Sequence, residues 1–150
     1  MNSGKTTVAK LLVKNMPRTA HVEKLRQFIE WMPIEESRPY NIQNIISLTR
    51  NFIEIGNLNV VISYPVSSKN FKFISESLSN LKQSVYAFTL SPRLDVVIKN
   101  RGTRELADWE IKQIQKSYAE GIQKPDYGII IDNSNEIPEE TVKKILTVIG

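Results

Sequence analysis

The sequence contains no cysteine, which excludes a disulfide framework and any thiolate metal site. Its single histidine, His21, excludes a multi-histidine metal centre. No apolar run approaches the ~20 residues a helix needs to cross a bilayer. The N-terminus lacks the apolar core of a signal peptide, so the cytoplasm is the expected compartment. The net charge is also small, +4 over 150 residues. That balance suits an anionic small ligand such as a nucleotide. It offers no basic stripe interleaved with aromatics, so a nucleic-acid partner is not expected. What is present is ordinary for a globular domain, with 41% hydrophobic and 24% charged residues. The length suits a single domain over residues 1–150 with a substantial core. Composition leaves the oligomeric state open.

Helical and extended patterns alternate along the chain. Val8, Leu11 and Leu12 fall at helical spacing and Pro17 stops them. "RTAHVE" (18–23) is a short extended stretch, followed by a helical pattern in "KLRQFIEWM" (24–32) that Pro33 ends. "NIQNIISLTRNFIEIG" (41–56) places Ile42, Ile45, Ile46, Thr49, Phe52 and Ile53 on one helical side. "LNVVISYP" (58–65) and "SVYAFTL" (84–90) read as buried strands. Between them Ser67 or Ser68 caps a helix whose face is Phe71, Ile74, Leu78 and Leu81. Ser91-Pro92 predicts a helix start, with proline at the first position, running to about Asn100 and breaking at "RGTR". A helix with Leu106, Ile111, Ile114 and Tyr118 ends near Gly121. "YGIIID" (127–132) is the last strand and "PEETVKKILTVI" (138–149) the last helix. The alternation predicts an α/β fold with a parallel sheet. Trp109 and Tyr64 are expected to pack inside.

Chemistry enters at "MNSGKTT". Gly4-Lys5-Thr6 is the back half of a phosphate-binding loop, Gly-x4-Gly-Lys-[Ser/Thr]. Glycine lets backbone amides wrap a phosphate at a helix N-terminus, where the dipole favours anions. Lys5 would reach the β- and γ-phosphates, and Thr6 would offer its hydroxyl to Mg²⁺. The same residues also read as a helix that simply begins with polar side chains.

Together with "MNSGKTTVAKLLVKNMPRTAHVE", the segments "KLRQFI", "AFTLSPRLDVVIKNRGTREL" and "GIIIDNSNEIPEETVKKIL" resemble a known family. It is the family of small P-loop kinases that includes shikimate kinase, gluconate kinase, chloramphenicol phosphotransferase and the zeta toxins, proteins often described as AAA-type ATP-binding domains. The resemblance spans nearly the whole chain. It implies a three-layer α/β/α sandwich whose parallel sheet has strand order 2-3-1-4-5. It implies ATP and Mg²⁺ as cofactors, held by Asn2, Ser3, Gly4, Lys5, Thr6 and Thr7, with Thr6 toward the metal. It implies a lid at about 101–108, with Arg101 and Arg104 closing over the phosphates and Arg93 a weaker candidate. "DNSN" (132–135) resembles an adenine-cradling loop, with Asn133 and Ser134 toward the base; Asp132, Asn133 and Ser134 also read as turn and capping residues.

Two departures from the family stand out. Its second strand commonly runs "HVEVDKLR", where the aspartate is general base toward the substrate hydroxyl. Here the stretch is "HVEKLR", leaving Glu23 as the carboxylate at the strand end. Arg26 and Trp31 become the substrate-side candidates. "SYPV" stands where a shikimate kinase would have a glycine-rich substrate motif. The family's first strand, ending in the first loop glycine, has no counterpart. In order 2-3-1-4-5 its absence leaves an opening of roughly 10 Å at the sheet centre. Its two neighbours then either pair directly or the region loosens, and an N-terminally truncated start is the expectation.

Three readings follow. The first is an ATP-dependent phosphotransferase acting on a hydroxyl of a small molecule. The second is a non-catalytic or vestigial nucleotide-binding protein. The third, held lowest, is a domain like a polynucleotide 5′-kinase.

Overall fold

The computed structural model describes residues 2–23, 31–99 and 105–150. It is mixed α/β. The chain divides into two compact units, Met1–Val8 with Tyr86–Gly150, and Ala9–Val85. The division falls inside the first helix, α1 (Lys5–Asn15).

In the Ala9–Val85 unit, β1 (Thr19–Glu23) and β2 (Asn59–Ser63) pair in parallel, from Thr19 opposite Asn59 to Glu23 opposite Ser63. Between them runs α2 (Ile34–Glu54), which packs against both strands and against α3 (Ser68–Leu78). The core forms where the helical spacing places it: Ile42, Ile46 and Ile74 are buried together, with Tyr64, Val66 and Leu78 packed on them. Each fully buried isoleucine contributes about 1.5–3 kcal/mol. Tyr64 packs as expected, and burial pushes its phenol above the ordinary range, with Arg38 nearby pulling the other way. Ser67 caps α3, its hydroxyl accepting from the Asn70 amide at 3.3 Å. The predicted helix over 24–32 lies largely outside the described residues.

One helix starts earlier than its apolar pattern. α2 begins at Ile34, not Asn41, and contains Pro39. Two features favour that start. Glu35 and Glu36 sit in the first turn, where the dipole attracts carboxylates. The Ser37 amide donates to the Pro33 carbonyl at 2.9 Å, and the Ser37 hydroxyl to the Ile34 carbonyl at 3.0 Å. Pro39 then removes one amide near the helix start, so a single helical bond is lost.

In the other unit, β3 (Phe88–Leu90) and β4 (Ile129–Ile131) also pair in parallel. Both are shorter than the apolar runs that announced them. α4 (Leu94–Val97) packs on α5 (Asp108–Ala119), and α6 (Pro138–Ile149) closes the chain. Val97, Ile114, Val142 and Ile145 are buried. The helix expected from Ser91-Pro92 is corrected to a single turn: Arg93 is extended at ψ 151° and the helix starts only at Leu94. α5 ends as expected near Gly121, at φ 72°. There the Ile122 and Gly121 amides return to the carbonyls of Ser117 and Tyr118, at 3.1 Å each, as a Schellman cap. Trp109 corrects another expectation, being 66% exposed. It lies one residue past the helix start, while Glu110 and Ile114 form the buried face of α5.

The described strands therefore form two separate two-stranded parallel sheets, β1–β2 and β3–β4. The β1–β2 sheet belongs to the Ala9–Val85 unit and the β3–β4 sheet to the other.

Candidate functional site

The loop before α1 lies in the Met1–Val8 and Tyr86–Gly150 unit. Asn2 and Gly4 both have positive φ, 54° and 88°. A Cβ added at Gly4 would meet only the Asn133 Nδ2 at 3.8 Å, an ordinary contact. Glycine is therefore required by the left-handed backbone and not by crowding. The Gly4 carbonyl accepts the Val8 amide at 3.0 Å, the first hydrogen bond of α1. A glycine there has no side chain with which to cap the opening amides.

The first turn of α1 contains no acidic residue. α3 shares that lack but is capped by the Ser67 hydroxyl; the first turns of α2, α5 and α6 hold Glu35 and Glu36, Asp108 and Glu110, and Glu139 and Glu140. In α5 and α6 one of those carboxylates serves as a cap: Glu110 accepts from the Ala107 amide and Glu140 from the Ile137 amide, each at 3.1 Å. α1 brings a positive dipole end with no carboxylate of its own.

Around this turn the side chains are placed closely. The Lys5 ammonium folds back and donates to the Ser3 hydroxyl at 3.1 Å. Ser3 is buried, Lys5 and Thr6 are half-buried, and Thr7 is exposed. The Asn2 amide donates to the carbonyls of Val97 at 2.8 Å and Lys99 at 3.1 Å. The amide of Asn133, a buried residue, donates to the Ser3 carbonyl at 3.1 Å.

After β4, the Asp132 carboxylate accepts from the Ser134 amide at 2.9 Å and from the Ser134 hydroxyl. These two bonds, the hydroxyl's first, hold Asp132 below the usual carboxylate range. The Ser134 hydroxyl in turn accepts the Arg93 amide at 2.7 Å. Asp132 and Ser134 thus form the turn their residue types allowed. The Arg93 guanidinium pairs with Asp95 at 3.3 Å on the surface.

The structure brings together Asn2, Ser3, Gly4, Lys5 and Asn133. Glu23 closes β1 in the other unit, opposite Ser63. There the ring of His21 meets the Ser63 hydroxyl at 2.7 Å, a pairing the sequence did not announce. Trp31 is 79% exposed. Arg26, Arg101 and Arg104 lie outside the described residues. Among the described residues no cluster of acids and histidine has the makings of a metal site. A lone hydroxyl donor such as Thr6 fits Mg²⁺ that arrives with phosphate, since Mg²⁺ keeps several waters and takes few protein ligands. No described helix is long and apolar enough to cross a membrane.

No protein-family model matches the chain. No curated protein matches it either. Among solved structures it is similar to the tunicamycin resistance protein of Deinococcus radiodurans, with a TM-score of 0.64 and 17% identity, over 99% of this chain and 90% of that one. At that identity the likeness concerns the fold.

Proposed function

We propose that this chain binds the triphosphate of ATP, with Mg²⁺, at Asn2–Thr7 and transfers the γ-phosphate to a hydroxyl of a small molecule in the cytoplasm. One observation carries the reading. The turn Ser3-Gly4-Lys5-Thr6 opens α1 with a left-handed glycine and no carboxylate in its first turn. That combination suits an outside anion: the dipole end carries no first-turn carboxylate, and the Lys5 ammonium stands beside it. The strand pairings support it. If β1 to β4 are the second to fifth strands of a P-loop sandwich, order 2-3-1-4-5 requires β1–β2 and β3–β4 to be parallel neighbours, as they are. The solved neighbour contributes the fold alone.

In this reading Lys5 leaves Ser3 and neutralises phosphate oxygens. The Thr6 hydroxyl and the phosphates would hold Mg²⁺, which supplies charge neutralisation as the transferring group separates. The acceptor oxygen bonds to the γ-phosphorus, the bond from that phosphorus to its bridging oxygen breaks, and ADP departs. The proton of the acceptor hydroxyl passes to water. Arg101 and Arg104, which lie outside the described residues, are the candidates for stabilising the charge on the phosphates.

Calorimetry with ATP and Mg²⁺, run on the wild type and on Lys5→Ala, tests the reading. Binding by the wild type and its loss in the variant is the expected result. No heat at millimolar ATP overturns it. A second reading, nucleotide binding without turnover, is favoured by the separate sheets and by Ser63, rather than a carboxylate, ending β2. Binding without formation of ADP selects it.

A further inference from the structure

We infer that the side chains of Asn2 and Asn133 act as positioning groups that hold the phosphate loop in its anion-binding shape, without themselves touching the nucleotide. The inference rests on the triphosphate reading of the loop and assigns these two amides a different task from the one their sequence positions suggested.

The peptide between Ser3 and Gly4 is the element they control. A trans peptide is planar, with its C=O and N–H pointing in opposite directions. Asn133 donates to the Ser3 carbonyl at 3.1 Å and is only 4% exposed. That bond turns the carbonyl toward Asn133 and so turns the Gly4 N–H away from it. Without the bond, the peptide is free to rotate, and a flipped peptide offers an anion a carbonyl oxygen where an amide should be. One side chain thereby sets the sign of the partial charge that the loop presents.

Asn2 acts on the other side of Ser3. Its backbone is left-handed at φ 54°, a conformation asparagine tolerates better than most residues. Both hydrogens of its amide are used, on Val97 and Lys99. Val97 is the last residue of α4, and its carbonyl is one that a continuing helix would occupy. Asn2 therefore anchors the start of the loop to the end of α4. The two anchors bracket Ser3 from opposite sides in sequence, and Lys5 reaches back to the Ser3 hydroxyl between them.

The test compares ATP with inorganic triphosphate, each with Mg²⁺, on the full chain. Asn133→Ala is expected to weaken both ligands by the same factor, on the order of tenfold, as for loss of one buried hydrogen bond. Asn2→Gly keeps the left-handed backbone but deletes the amide, and is expected to weaken both ligands by roughly threefold to tenfold. Loss of ATP affinity with inorganic triphosphate unaffected would place Asn133 at the adenine and overturn the inference. Unchanged affinity for both ligands overturns it as well.

A second readout needs no ligand. The Gly4 amide resonance in the free, folded wild type is expected to shift in Asn133→Ala, with helical circular dichroism unchanged. A Gly4 resonance that stays in place overturns the positioning role. If the wild type binds neither ligand, the nucleotide reading fails, and this resonance still decides whether Asn133 sets the Gly4 peptide.

Discussion

His21 and Ser63 join the two strands of the β1–β2 ladder through their side chains, ring nitrogen to hydroxyl at 2.7 Å. In the parallel register His21 lies opposite Val61 and Glu23 opposite Ser63, so His21 and Ser63 are diagonal neighbours on one face. A double-mutant cycle with His21→Ala and Ser63→Ala is expected to give a coupling of about 0.5–1.5 kcal/mol in urea unfolding. Additive losses would show that the pair does not bind the strands together.

Lys5→Ala is expected to lower phosphoryl transfer by about 10²–10³ in kcat, as for removal of one preorganised charge donor. The unfolding midpoint should move less than turnover, because the bond from Lys5 to Ser3 is local, two positions apart in the chain. A variant with full turnover removes the lysine from the chemistry.

Two glycines with similar backbones should respond differently to alanine. Gly121 and Gly128 have φ of 72° and 71°. A Cβ at Gly121 meets nothing within 4 Å, whereas one at Gly128 would stand 2.5 Å from the Ala87 carbonyl oxygen. Gly121→Ala is expected to cost about 1–2 kcal/mol, the left-handed penalty alone. Gly128→Ala adds a backbone clash beside the bond from the Ile129 amide to the Ala87 carbonyl, and should cost clearly more, above ~3 kcal/mol. Equal midpoints for the two variants in thermal melts would contradict this.

Arg50 ties α2 to the end of α3. Its guanidinium donates to the Ser77 carbonyl at 2.6 Å, to the Asn80 side chain at 3.2 Å and to Glu54 at 3.1 Å. Arg50→Lys cannot reproduce that fork and is expected to cost about 1–2 kcal/mol. Glu54→Gln removes only the surface ion pair and should cost less than ~0.5 kcal/mol. Chemical denaturation of the two variants checks the order.

The depressed Asp132 carboxyl sets a pH dependence. Because its folded value lies below the unfolded one, its stabilisation is present above the unfolded value and lost as pH falls through the folded one. Ser134→Ala removes the larger cause, so the carboxyl should titrate at higher pH and the acid limb of the stability curve should flatten. A carbon-13 titration of the Asp132 carboxyl reads the change directly.

The elements legible in the sequence were those whose signals are local. Gly-Lys-Thr before an apolar helical pattern marked the start of α1, and Ser67 marked that of α3. Strand lengths were not legible, because pairing sets them: Val85 and Tyr86 have strand character but no partner in the β3–β4 register, and both are exposed. The start of α2 was hidden by Pro39, which looks like a stop until the acidic first turn before it is weighed. The anchoring of the loop was beyond reach. Asn2 meets Val97 and Asn133 meets Ser3 across separations of 95 and 130 positions, which no spacing rule encodes.

Pro39 has a consequence for how α2 comes apart. The ring supplies no N–H to the Glu35 carbonyl, so the ladder of the 21-residue helix has a missing rung five residues in. Deuterium uptake should divide there. Amides before the ring should label early, while those around the buried Ile42, Ile45 and Ile46 should wait for a larger opening, giving one helix two kinetic classes of proton.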